Sequence, residues 1–377
     1  MHQKLKQIVL AGLTSLMAAM IILIASCCDD CPTCPGSTQP YRGYLYAADY
    51  ENGWIYQIDT ENDSLIDSVN YFNGQKYYTG TVSVSSDGRY FAAAYSLTLY
   101  TESMLTTVIY DAQTLNMITE LPYSYNSVFI PNQNLYLGFM QDSVHIYSTP
   151  DFTRIHSDTI TSYAFPVLDE SENRVYLHGI QTPDRLDSTY IAAYDYVQRK
   201  VVDTWFLRDS QDSLMIILQF DVNRDENLLY CTGGSDVSGL YLACYDLNER
   251  ETIFREPITS RYGSMRLSPD GAEVYMTDPG QPFINLIPGI IFVYNAQSGN
   301  YVDGISLYGL DENPAVALFA TPIIFTPTGE KAYVGSGRTE KDSGTISVID
   351  TKDKMIIKHI WPNKGHYFLY MCIGPKL

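Results

Sequence analysis

Histidine is scarce in this chain. Only six occur among 377 residues, at positions 2, 145, 156, 178, 359 and 366. No two of them stand at metal-ligand spacing. No glycine-rich phosphate loop, nucleophile elbow or cysteine–histidine pair is evident either. These absences leave no catalytic residue to assign, and neither a metal nor another cofactor is expected. Positive charge is also short. Lysine and arginine number 24 against 43 acids, a formal net charge of −19. A surface this acidic repels phosphate backbones, which argues against nucleic acid as a partner. After residue 40 no segment sustains a helical period, so the fold is expected to be built from strands.

What recurs instead is a short apolar strand that ends in Asp or a close relative, followed by a tight polar turn. It appears as WIYQID to Asp59, VIYDA at Asp111 and VHIYS to Ser148. It returns as IAAYD to Asp195, LACYD to Asp246, FVYNA at Asn295 and ISVID to Asp350. The mean step is about 48 residues, the length of a four-stranded propeller blade. Seven copies predict an all-β, seven-bladed β-propeller with four-stranded antiparallel blades. Each repeat reads as an inner strand (TVSVS), a turn (SDGR, SPDG), an apolar second strand (YFAAAY, EVYMTD), the strand that carries the repeated residue, and an outer strand. The repeated aspartates are expected to hold turn backbone. YLYAAD, where the ring begins, reads as a second strand without its inner partner. HYFLYMCIGPKL at the C-terminus reads as an inner strand, so the last strand is expected to complete the first blade and remove an open sheet edge.

The N-terminus has its own logic. Lys4 and Lys6 precede an uncharged apolar run from Ile8 to Ala25, then Ile24-Ala25-Ser26-Cys27. That is the layout of a secretory signal. The cysteine behind small residues resembles the lipobox of bacterial lipoproteins, although Ile24 stands where leucine is more usual. The resemblance implies cleavage before Cys27 and acylation (palmitate-type) of that cysteine. The alternative is an uncleaved anchor, because the run approaches spanning length. The expected organisation is a signal peptide over 1–26, a Cys/Pro-rich tether over 27–42 and the propeller over 43–377. Location would be the bacterial cell envelope, periplasmic or surface-facing, with the acyl chains as the membrane contact. Cys28-x-x-Cys31-x-x-Cys34 has no histidine or second cysteine pair to complete a tetrahedral set, and reads as part of the tether. Cys231 and Cys244 fall on consecutive strands of one blade, expected as two buried thiols with a cross-strand disulfide as the alternative.

Long second-to-third connections are expected at 96–105, 181–189, 279–289 and 338–344. In a propeller they share a face with the links into the inner strands, and long loops on a rigid scaffold are where binding residues sit. Tyrosine is abundant, 32 in all. Most are expected in the strands, but Tyr78, Tyr125, Tyr163, Tyr262 and Tyr367 lie at the entrances to inner strands, with Arg261 and His366 beside two of them. Hydroxylated rings suit sugars, peptides and protein hot spots. Phe283, Ile284 and Leu286 form an apolar stretch in a blade-six connection, a candidate partner surface. Asp221-x-Asn223-x-Asp225-x-Asn227 resembles the start of a calcium loop but lacks its glycine and terminal glutamate, and reads as a turn.

TPTGEKAYVGSG with TISVIDTKDKMIIKHI, RLSPDGAEVYMTD, and YLYAADYENGWIYQIDTENDSLID resemble the YVTN-type propeller repeat. The resemblance is strongest in blades one, six and seven. It implies an extracytoplasmic binding or surface protein and carries no shared catalytic set. The expected function is a lipid-anchored propeller that binds a protein, peptide or glycan on its loop-rich face. The alternatives are a propeller enzyme, lactonase-like or dehydrogenase-like, and a scaffold subunit of an envelope assembly.

Overall fold

The structure, a computed structural model, describes residues 41–71, 78–96, 104–124, 126–140, 142–160, 164–182, 185–207, 216–235, 239–258, 264–278, 289–307, 318–338, 344–362 and 368–377. They form seven four-stranded antiparallel sheets. The inner strands, in ring order, are Phe368–Pro375, Tyr78–Val84, Asn126–Ile130, Ala164–Asp169, Ile216–Asn223, Met265–Leu267 and Leu318–Phe325. Blade one therefore takes its inner strand from the C-terminus, where Gly43 pairs with Pro375 and Ala48 with Tyr370. The seven-bladed ring and its closure are as the repeat predicts.

The repeated residue ends, or nearly ends, the third strand of every blade. Its side chain does what a short acid or amide does best at a turn. Asp111 Oδ1 accepts from the amides of Gln113 and Thr114. Asp195 Oδ1 accepts from Val197 and Gln198, Asp246 Oδ1 from Asn248 and Glu249, and Asn295 Oδ1 from Gln297 and Ser298. Four residues after each repeated position the backbone turns left-handed, at Asp63, Leu115, Phe152, Arg199, Arg250, Gly299 and Lys354. The ladder shifts register just before each of these turns, for example between Cys244 and Tyr245. Turn plus bulge swings the outer strand with the same twist in all seven blades.

Apolar packing follows the ring. Seven buried clusters fill the seven gaps between neighbouring blades. Strands buried on both faces explain why second strands are apolar throughout rather than alternating. Ala92, Ala93 and Ala94 let blades approach closely near the axis, while Tyr46 stacks on Phe91 at 4.6 Å between blades one and two. Most of the described tyrosines belong to these slabs, and Tyr46, Tyr95, Tyr110, Tyr136, Tyr230, Tyr275 and Tyr333 are almost fully buried.

Two details depart from or refine the sequence reading. The described residues of the stretch 181–189, namely 181–182 and 185–189, are strand rather than loop. The second and third strands of blade four run on as Arg174–Thr182 and Arg185–Asp195, with Thr182 opposite Arg185. Thr182 and Thr189 are β-branched and suit an extended strand. Cys231 and Cys244 are free buried thiols. Cys231 stands opposite Ala243 and Tyr230 opposite Cys244, a one-residue offset that sends the two sulfurs to opposite faces of the sheet. One packs between blades four and five, the other between five and six.

Candidate functional site

The inner strands surround a central cavity of about 380 Å³. Blades two and three contribute Thr81, Ser83, Asn126 and Ser127, and the Ser83 and Ser127 hydroxyls hydrogen-bond at 2.6 Å across the blade boundary. Blade five contributes Gln219, blade six Ser264 and Arg266, and blades four and seven Pro166 and Pro322. Tyr370 and Met371 come from the closing strand. Among the described lining residues there is no aspartate, glutamate or histidine, and Arg266 carries the one full charge.

Arg266 lies half-buried in the short inner strand of blade six, between Met265, which is packed between blades five and six, and Leu267. Its guanidinium has no hydrogen-bond or ion-pair partner among the described residues. The acid on the adjoining inner strand, Asp221, is already committed. Its Oδ2 accepts from the Leu267 amide at 3.0 Å and its Oδ1 from the Val222 amide at 2.9 Å. Asp221 thus stitches blade five to blade six. The rest of its stretch forms the blade-five turn, with Asn227 left-handed, as the sequence reading expects.

Tyr78 opens the inner strand of blade two. It is half-buried, and its ring lies 5.4 Å from that of Tyr50 in the turn of blade one. The Thr79 amide donates to the Tyr50 carbonyl at 3.1 Å, which pins the pair together. Beside them Tyr71 stacks on Tyr95 at 5.6 Å, and the Tyr95 and Tyr110 hydroxyls meet at 3.0 Å. Burial, then the Glu120 carboxylate, pushes the Tyr71 phenol up to about 12. Burial also raises the phenol of Tyr370. The raised Tyr71 and Tyr370 phenols stay neutral, suited to hydrogen bonding rather than proton abstraction.

A second, larger hollow of about 700 Å³ lies on the flank between blades four and five, lined by Trp205, Phe206, Tyr241, Arg250 and Arg255. Its cations are engaged from within. Arg250 pairs with Asp203 at 2.5 Å and lies over the Trp205 ring, while Arg255 lies over Tyr241 and reaches the Tyr245 hydroxyl at 3.4 Å. Both cations of this hollow thus find partners in its own walls.

Of the sequence-chosen site residues, Tyr78 opens the blade-two inner strand but is not among the residues that line the central cavity. Tyr125, Tyr163, Tyr262, Tyr367, Arg261, His366, Phe283, Ile284, Leu286 and Cys27 lie outside the described residues. Sequence reasoning missed Tyr50, Arg266, Ser83 and Ser127. Arg266 left one signal: a lone basic residue inside RLSPDG, in a segment that the repeat makes an inner strand.

No family model matches the chain, and no curated protein matches it. Solved structures do. A functionally unknown protein from Desulfotomaculum acetoxidans DSM 771 superposes with a TM-score of 0.62 at 11% identity, covering 88% of this chain and 99% of that one. The dihydro-heme d1 dehydrogenase NirN, in complex with DHE, gives 0.54 at 13% identity, covering 89% and 76%. Kuenenia stuttgartiensis hydrazine synthase gives 0.53 at 16%, covering 72% and 76%. At these identities the likeness is one of fold.

Proposed function

We propose that this chain is a lipid-anchored, extracytoplasmic propeller of the YVTN-repeat type that binds a protein, peptide or glycan on its loop-rich face. In this reading residues 1–26 are the signal peptide, Cys27 carries the acyl chains, 27–42 is the tether and 43–377 is the binding domain in the bacterial cell envelope. The observation that supports the binding role is the polar central cavity. Among its described lining residues are serine, threonine, asparagine and glutamine side chains and one cation, Arg266, and the Tyr50–Tyr78 pair stands at the start of the blade-two inner strand that lines it. Rigid hydroxylated rings beside polar groups give contact area at little entropic cost, which suits recognition. Tyr125, Tyr163, Tyr262, Tyr367, Arg261 and His366 would extend that surface, and Phe283, Ile284 and Leu286 would flank it.

Two measurements test this reading. Full-length protein in detergent is exposed to glycan and peptide arrays, beside the double variant Tyr50→Ala, Tyr78→Ala. Capture by the native protein and at least tenfold weaker capture by the variant is the expected result. An unchanged capture profile would remove the aromatic mouth from the site, and no capture at all would remove the binding role. Labelled palmitate should mark the native chain and not Cys27→Ala. Label retained on the variant would put the acceptor elsewhere.

A further inference from the structure

Arg266 is the one charged side chain among the described residues that line the axis, and none of those residues pairs with it. None of its nitrogens is among the buried unpartnered polar atoms of the described residues, so the half-buried guanidinium still faces solvent and is open to a ligand entering the cavity. Here acids outnumber bases 43 to 24, yet none of the described residues answers this one cation on the axis. The neighbouring acid is held by two backbone amides. An anion arriving from outside would meet a preformed donor fork with no competing internal carboxylate.

We propose that the channel binds a sugar acid, its carboxylate held by Arg266 and its hydroxyls by the surrounding serine and amide side chains. The inference rests on the binding role proposed above and narrows the ligand to an acidic saccharide. Three features of the wall carry it. Carboxylate matches the planar fork of Arg266 with two parallel hydrogen bonds. Ser83, Ser127, Ser264 and Gln219 both donate and accept, as a polyhydroxylated ring requires, whereas a peptide carboxylate would offer them an aliphatic stem. Pro166 and Tyr370 give the apolar surface on which the C–H face of a pyranose packs. The cavity, at about 380 Å³, is at the small end of ligand sites, which fits one ring rather than a longer chain inside the axis.

The test uses full-length protein in detergent and titration calorimetry with galacturonate and glucuronate. Galactose and glucose serve as neutral counterparts, and succinate as a carboxylate without a sugar ring. At least one uronate should bind tenfold or more tightly than its neutral sugar, and more weakly as salt rises. Arg266→Gln should abolish that advantage, and Arg266→Lys should keep part of it. Because Arg266 holds no other group, Arg266→Gln without sugar should melt at the native temperature, and a lowered melting temperature would make Arg266 a structural prop and sink the proposal. Ser83→Ala with Ser127→Ala should weaken uronate but not succinate. Equal binding of uronate and neutral sugar, succinate as tight as uronate, or uronate binding unchanged in Arg266→Gln would each overturn it. Neutral glycans captured on arrays while uronates fail in solution would remove the carboxylate site and leave the general binding role standing. Loss of all array capture would remove both.

Discussion

Tyr44 and Gly374 lie opposite one another in an antiparallel ladder, although they stand near the two ends of the ring. Around them the C-terminus is latched. Lys376 Nζ donates to Asp59 Oδ2 at 3.2 Å and the Lys376 amide to the Arg42 carbonyl at 3.2 Å. Gln113 of blade two reaches the Pro375 carbonyl at 3.4 Å. One strand thus closes blade one and also caps the gap to blade two.

Deleting residues 368–377 should therefore open both. The edge of blade one would carry unpaired N–H and C=O groups and an uncovered apolar face. Sedimentation should show aggregation, and soluble yield should fall sharply. A truncated chain that stayed monomeric with the native melting temperature would mean that the ring does not need this strand.

The seven left-handed positions make a graded prediction. Six carry side chains and one is Gly299. Arg199 is exposed at a φ of 57°. Glycine there relieves a left-handed cost of about 1–2 kcal/mol and adds an unfolded-state entropy cost of about 0.5–1 kcal/mol. Arg199→Gly should gain about 0.5 kcal/mol, and Arg199→Val should lose about 1 kcal/mol or more. Gly299→Ala should lose more than that, since its Cβ would also sit 2.6 Å from the Phe254 ring. Denaturant midpoints give the order directly, and a stabilising Arg199→Val would contradict it.

Tyr333, Lys331 and Asp63 join blade seven to blade one. The Tyr333 hydroxyl donates to Asp63 Oδ1 at 2.6 Å and Lys331 Nζ to Oδ2 at 2.8 Å. Tyr333→Phe should cost about 1–2 kcal/mol, because a buried carboxylate oxygen loses its donor. Lys331→Met should cost about 2–3 kcal/mol, because the charge itself is left uncompensated. The double variant should show coupling in a thermodynamic cycle. Strict additivity would mean that the three groups act independently.

His178 supplies the pH prediction. Its ring is 8% exposed, Nε2 has no partner, and burial pushes it from an ordinary 6.5 down to about 4. The native state therefore disfavours the protonated form. Stability from this group is complete above pH 6.5 and is lost as pH falls towards 4, amounting to about 3 kcal/mol. His178→Leu should flatten that part of the stability–pH curve and cost little at pH 7. A variant curve parallel to the native one between pH 6.5 and 4 would exclude His178 as the cause.

Much of this molecule is written locally. The repeated Asp, the turn four residues long and the apolar second strand each specify their own stretch through hydrogen bonds and propensities that act within a blade. Stacking identical units then gives the ring, and the orphaned second strand YLYAAD names the partner it needs. That is why Asp59, Asp111, Asp195, Asp246 and Asp350, and the C-terminal inner strand, were legible without coordinates. The axis was not. Ser83, Ser127, Gln219 and Arg266 come from four blades, and no local pattern records that they line one cavity. The same holds for Cys231 and Cys244. Their blade was readable, but a one-residue register offset, set by packing on both sheet faces, sent them to different slabs. Short-range hydrogen bonding determined the blades and their order. Only closure of the ring decided what the blades enclose, because convergence on an axis depends on every blade at once.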